Sequence, residues 1–97
     1  MNNNLKEMNT LTYILAVVGA VTTATRLAGV LEKSGCKNVK VIRTPVVISS
    51  GGCSYSVRIN EENLNELLEA SSHRRLRVKK IYRVQEFGQE CEYHDIS

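Results

Sequence analysis

Tryptophan is absent from the chain, phenylalanine and proline occur once each, and four tyrosines complete the aromatic set. A core must therefore be built from Val, Ile, Leu and Ala. The cysteines are few and scattered: Cys36, Cys53 and Cys91 form no C-x-x-C pair and leave an odd thiol. That pattern gives no disulfide framework and points to a reducing, cytoplasmic setting. No apolar run approaches the ~18 residues that a membrane span needs, since "YILAVVGAV" ends well short of it. The opening "MNNNLKEMNT" is polar and does not read as a secretory leader.

What is present fits one small domain of 97 residues, with 42% hydrophobic and 24% charged residues. The net charge of +3 is uneven. Arg74, Arg75, Arg77, Lys79, Lys80 and Arg83 fall within ten positions that hold no acid, and the remainder is net acidic. Only Tyr82 lies inside that cluster, so it lacks the interleaved aromatics of an RNA-stacking surface. It reads as a solvated strand or a protein-docking patch centred on Arg74 and Arg75 rather than a nucleic-acid site.

Hydrophobic periodicity gives the element order. Residues 1–10 and 89–97 read as disordered tails around one domain, 11–88. "LTYILAVVGA" reads as a buried strand. In "VTTATRLAGVLEKSG", Ala24, Leu27, Ala28 and Leu31 share one helical face, and Gly35 ends the helix. "KNVKVIRTPVVI" reads as a second strand with Pro45 at its end or at a sheet edge. "SYSVRI" alternates as a third strand. Asn60 caps a second helix, with Glu61 and Glu62 at its start and Leu64, Leu67, Leu68 and Ser71 as its stripe. "RVKKIYRVQEF" closes the series. The expected fold is α+β: a ferredoxin-like β-α-β-β-α-β sandwich, a four-stranded antiparallel sheet with two helices on one face. In that topology the first helix start, the Ser49–Cys53 loop and His73–Arg75 converge at one end.

The chemistry-bearing stretch is "TPVVISSGGCSYSVRI". Gly51 and Gly52 can turn their N–H groups inward as an anion-binding nest, and Ser49, Ser50 and Ser54 add hydroxyl donors. Arg43 and Arg58 flank the loop. A thiol at Cys53, near a helix start and cations, would be held below the ordinary cysteine range. The same residues equally suit a tight glycine hairpin in which Cys53 only fills space. The loop is too short for a P-loop and lacks its Lys-Ser/Thr. His73 is the one candidate base for a Cys/His hydrolase and reads as a solvated cap. Cys91 and His94 make half a zinc site with no second pair of ligands, so neither a metal nor a cofactor is expected.

The stretch resembles the signature of small bacterial selenium/sulfur carrier-like proteins, through Pro45, Ile48, Ser49, Ser50 and Cys53 and the basic Arg58 on the returning strand. The apolar first strand, the helix opening in small residues and Ile81-Tyr82 extend the likeness over about 12–84. Two positions depart from the pattern: Gly52 precedes Cys53 rather than following it, and Val46 stands where a basic residue is usual. The resemblance implies that Cys53 is the carrier thiol, loaded by a desulfurase-type donor protein as a persulfide or selenyl-sulfide and relieved by an acceptor enzyme. The protein would then have no turnover of its own. It implies no membrane partner, and a homodimer is compatible with it. The competing class is a small-ligand-binding or assembly module without thiol chemistry, and fold alone does not separate the two.

Overall fold

The computed structural model describes residues 10–49, 54–73 and 75–97. Strands β1 (Thr10–Val18), β2 (Lys40–Arg43), β3 (Tyr55–Asn60), β4 (Lys80–Phe87) and β5 (Glu90–Asp95) form one sheet with helices α1 (Val21–Lys33) and α2 (Leu64–His73). The spatial order is β2-β3-β1-β4-β5, with every neighbouring pair antiparallel. β1 and β2 both run against β3 and are therefore parallel to each other, as the helix between them requires. The α+β class and two helices agree with the sequence reading. The four-stranded sheet does not: the sheet has five strands, and the fifth lies inside the stretch read as a tail.

β1 sits at the centre, so its apolar run is buried on both faces. Ile14, Ala16 and Val18 face the helices, where Ala24, Leu27, Ala28 and Leu31 of α1 join Leu67 and Ala70 of α2. The expected α1 stripe is the buried one. On α2 the buried positions are Leu67 and Ala70, with Leu64 and Ser71 half-buried beside them, whereas Leu68 is exposed at the margin of the face. Asn60 stands at the cap position but makes no side-chain cap bond. The other sheet face carries a smaller cluster, with Tyr13, Leu15 and Val84 under Ile42, Ile48, Tyr82 and Tyr93.

α1 ends where the glycine was expected to end it. Gly35 N–H donates to Glu32 C=O and Cys36 N–H to Leu31 C=O at 3.0 Å, the two bonds of a Schellman turn. β2 is much shorter than read. Pro45 has no N–H for the ladder and its fixed φ suits the first position of a helical turn. The chain accordingly coils, with Ile48 N–H and Ser49 N–H donating to Pro45 C=O. The connection to β3 is thus a long loop, not a tight hairpin. Its two ends are tied together: Thr44 N–H donates to Ser54 C=O, and the buried Thr44 and Ser56 hydroxyls share a 2.8 Å hydrogen bond.

β5 follows a two-residue turn, Gly88-Gln89, between the paired Phe87 and Glu90. Gly88 has φ 62°, the positive value that a hairpin turn of this length demands at its first position. The strand is clamped at its far end. Asp95 accepts from the Ser97 backbone N–H, from Lys80 Nζ at 2.9 Å and from the Ser97 hydroxyl, and this holds its carboxyl down at about 2. A carboxyl depressed in the folded state supports the fold above its unfolded pKa and loses that support as pH falls through the folded one. The clamp should therefore hold above about pH 4 and release as pH falls toward about 2. The Ser97 amide resonance is expected to follow that low midpoint in an NMR pH titration, and a midpoint at the ordinary carboxyl value would show that the clamp is not formed.

Candidate functional site

Strand register decides which loops meet. Val18 pairs with Tyr55, Arg43 with Tyr55, and Val17 with Lys80. The end of β1, both ends of the β2–β3 connection and the start of β4 therefore lie at one end of the sheet. α1 begins there too, and the connection from α2 into β4 returns there. Gly19, Ile48 (next to Ser49), Ser54 and Lys79 do meet at this end, whereas His73, expected with them, instead lines a groove with Val30 and Ser34 toward the far end of α1. Ser50, Gly51, Gly52, Cys53 and Arg74 lie outside the described residues.

The electrostatics at this end are positive. α1 starts at Ala20 with no side-chain cap bond from that residue and no acid in its first turn, so no carboxylate of that turn offsets the positive end of the helix. Lys79 donates its backbone N–H to Val17 C=O at 2.7 Å, and its side chain lies across Gly19. A Cβ built on Gly19 would stand 3.2 Å from Lys79 Cε and 3.3 Å from Nζ, so the missing side chain is what seats the ammonium.

The basic cluster is not uniformly free. Lys80 pairs with Asp95 at 2.9 Å and Arg83 with Glu61 at 2.8 Å. Arg75, Arg77 and Lys79 have no acidic partner within ion-pair distance among the described residues. Arg75 is exposed and takes φ 53°, in the left-handed region. Of the cations in the cluster, Lys79 and Lys80 join Val17, Ile48, Ser54 and Tyr82 around a cavity of about 330 Å³ on the sheet face away from the helices. In the loop above, Val46 and Val47 are 88% and 81% exposed.

Other candidates lie elsewhere or are otherwise engaged. Arg58 stacks over the Tyr13 ring at 3.9 Å. Tyr13 pairs with Asn60, at the end of β3 away from the loop. The Tyr13 hydroxyl donates to Glu86 at 2.7 Å, and burial first, then that bond, raise its pKa far above the usual tyrosine value. Cys36 is buried, and its thiol is pushed up by burial and then by the charge of Glu66. Cys91 is exposed on β5. Among the described residues no three His, Cys, Asp or Glu side chains are grouped to hold a metal. His73 lines a separate groove between the helices with Glu66 and Glu69.

The sequence did not single out Gly19 with Lys79, nor the Asp95 partner of Lys80. No spacing signal exists for either, because strand pairing alone brings those positions together.

The family described as "Putative Se/S carrier protein-like" matches residues 13–83. The chain belongs to that family. The match runs from β1 into β4 and takes in the whole β2–β3 connection, so the carrier-like region is the part that builds this end of the sheet. β5 falls beyond it. Neither the curated proteins nor the solved structures contain a match to the chain. No helix among the described residues is long and apolar enough to cross a membrane.

Proposed function

We propose that this protein carries sulfane sulfur or selenium on Cys53, taking it from a desulfurase-type donor protein and passing it to an acceptor enzyme. The observation that carries the reading is the family match, which spans the Pro45–Arg58 stretch. Support comes from the positive field at the same end, where the α1 start and Lys79 favour an anion.

The transfer is an exchange without net oxidation. The Cys53 thiolate attacks the outer sulfur of the donor persulfide. A new S–S bond forms at Cys53 as the donor's S–S bond breaks, and the donor cysteine leaves as thiolate with the electron pair of that bond. An acceptor thiolate repeats the step on the outer atom, and Cys53 becomes the leaving group. Selenium follows the same course with a selenyl-sulfide. Ser49, Ser50, Gly51, Gly52 and Ser54 would supply hydrogen bonds to the carried anion, while Arg58, stacked over Tyr13, would take no direct part. Arg74 and Arg75, with the exposed Val46 and Val47, would meet the partner protein. The setting is a reducing cytoplasm, which keeps such a thiol free.

The test is thiol reactivity against pH in single-cysteine variants. Cys53 is expected to alkylate faster than Cys91 at neutral pH and far faster than the buried Cys36. An apparent pKa for Cys53 at or above the ordinary ~8.5 would overturn the activated-thiol reading.

A further inference from the structure

The cavity on the sheet face has a mixed lining. Val17 of β1 and Tyr82 of β4 form an apolar floor, and Ile48 closes one side from the helical turn after Pro45. Ser54 offers a hydroxyl, Lys79 and Lys80 add two cations, and none of the six lining residues is acidic. Its volume of about 330 Å³ falls within the roughly 300–1,000 Å³ range of small-molecule sites. The two lysines differ. Lys80 is largely answered by Asp95, whereas Lys79 has no acidic partner among the described residues and is seated across Gly19. A positioned cation above an apolar floor favours a ligand with one charged end and one apolar end.

We infer that this cavity binds a small organic anion, a carboxylate with its charge at Lys79 and Ser54 and its apolar part against Val17, Ile48 and Tyr82. An inorganic oxyanion leaves the apolar floor uncovered, and a neutral apolar ligand leaves Lys79 unmatched. The site goes beyond the carrier reading, since every residue in it acts without the thiol.

The experiment uses the full chain as a Cys53→Ser variant, so that failure of sulfur loading and failure of this site are read separately. Hexanoate is titrated and backbone amide shifts are followed by NMR, with hexanol and sulfate as comparison probes. Hexanoate is expected to shift Val17, Ser54, Lys79 and Lys80, to leave the α1–α2 groove unmoved, and to bind more tightly than either comparison probe. Lys79→Ala should weaken hexanoate by about tenfold, the size of one lost charge-assisted contact. Gly19→Ala should also weaken it while leaving the unfolding midpoint unchanged, because the added methyl group displaces only the flexible end of Lys79. Absence of localised shifts, equal binding of hexanoate and hexanol, sulfate binding as tightly as hexanoate, or unchanged affinity in Lys79→Ala would each overturn the inference.

Discussion

Replacing Cys53 with serine is expected to abolish persulfide loading, with a loss of at least ~100-fold in the rate of sulfur uptake from a persulfide donor. Oxygen in place of sulfur removes the nucleophile outright, since a serine hydroxyl is not ionised at neutral pH and forms no S–S bond. The other two cysteines cannot substitute for it. Cys36 is buried at the end of α1, and its raised pKa keeps it as a thiol. Cys91 is exposed, but it sits on β5 opposite Glu86, one residue in from the Gly88 turn. Glu86 lies toward the end of β4 away from Lys79 and the α1 start. Cys36→Ser and Cys91→Ser should therefore load within about twofold of the parent chain. Mass spectrometry of the intact protein and of its peptides reads the added sulfur directly. Persulfide found on Cys91 with Cys53 intact and unmodified would reverse the assignment.

Leu27→Ala is expected to cost about 2–5 kcal/mol of folding stability. Leu27 is fully buried between α1 and the sheet, in one cluster with Ile14, Val57 and Leu67. Truncation leaves a hole among fully buried neighbours that relax only partly, so a cavity cost adds to the lost transfer energy. Small domains carry only about 5–15 kcal/mol in total, which makes this a large fraction. Each 1 kcal/mol lowers the melting midpoint by roughly 4–8 °C in a domain of this size. Val46→Ala provides the contrast: the side chain is 88% exposed, and its loss should change folding stability by no more than about 0.5 kcal/mol. Urea unfolding of both variants checks the pair. A Leu27→Ala chain with the parent's midpoint would place the core elsewhere.

The parts of the fold that were legible are those where one element's own periodicity carries the signal. The α1 stripe is strict and Gly35 terminates it, so both were readable. β1 was readable because a continuous apolar run suits only a central strand. β5 was not. Its residues alternate, but Glu90, Glu92 and His94 are polar, and only Tyr93 packs inward from the strand. The Gly88-Gln89 pair between alternating runs was the available clue. The β2–β3 connection was misjudged because Val46 and Val47 look like strand residues, whereas the preceding proline directs them into a helical turn. The α2 face was read slightly to one side: Leu64, Leu67 and Ser71 do turn inward, but the small Ala70 rather than the larger Leu68 completes it, and apolar spacing alone ranks the leucine first. The basic run at 74–83 was visible as a cluster. Its division into paired and unpaired cations depends on Asp95 and Glu61, which reach it only through tertiary structure.

The fifth strand also changes how the molecule behaves toward copies of itself. Without it, the eight-residue β4 would present an open row of backbone donors and acceptors at the sheet margin. With it, the outer margin is β5, which carries Glu90, Glu92 and Asp95. If a second copy joined there in symmetric antiparallel fashion, Glu90 of each chain would lie opposite Asp95 of the other, and like charges directly across a ladder oppose pairing. The opposite margin is β2, only four residues long and bearing Lys40 and Arg43. Short or charged margins are how natural sheets resist runaway stacking into fibrils. In this chain the acidic C-terminal strand provides that guard, so a version truncated after Phe87 would be the one prone to precipitate at high concentration.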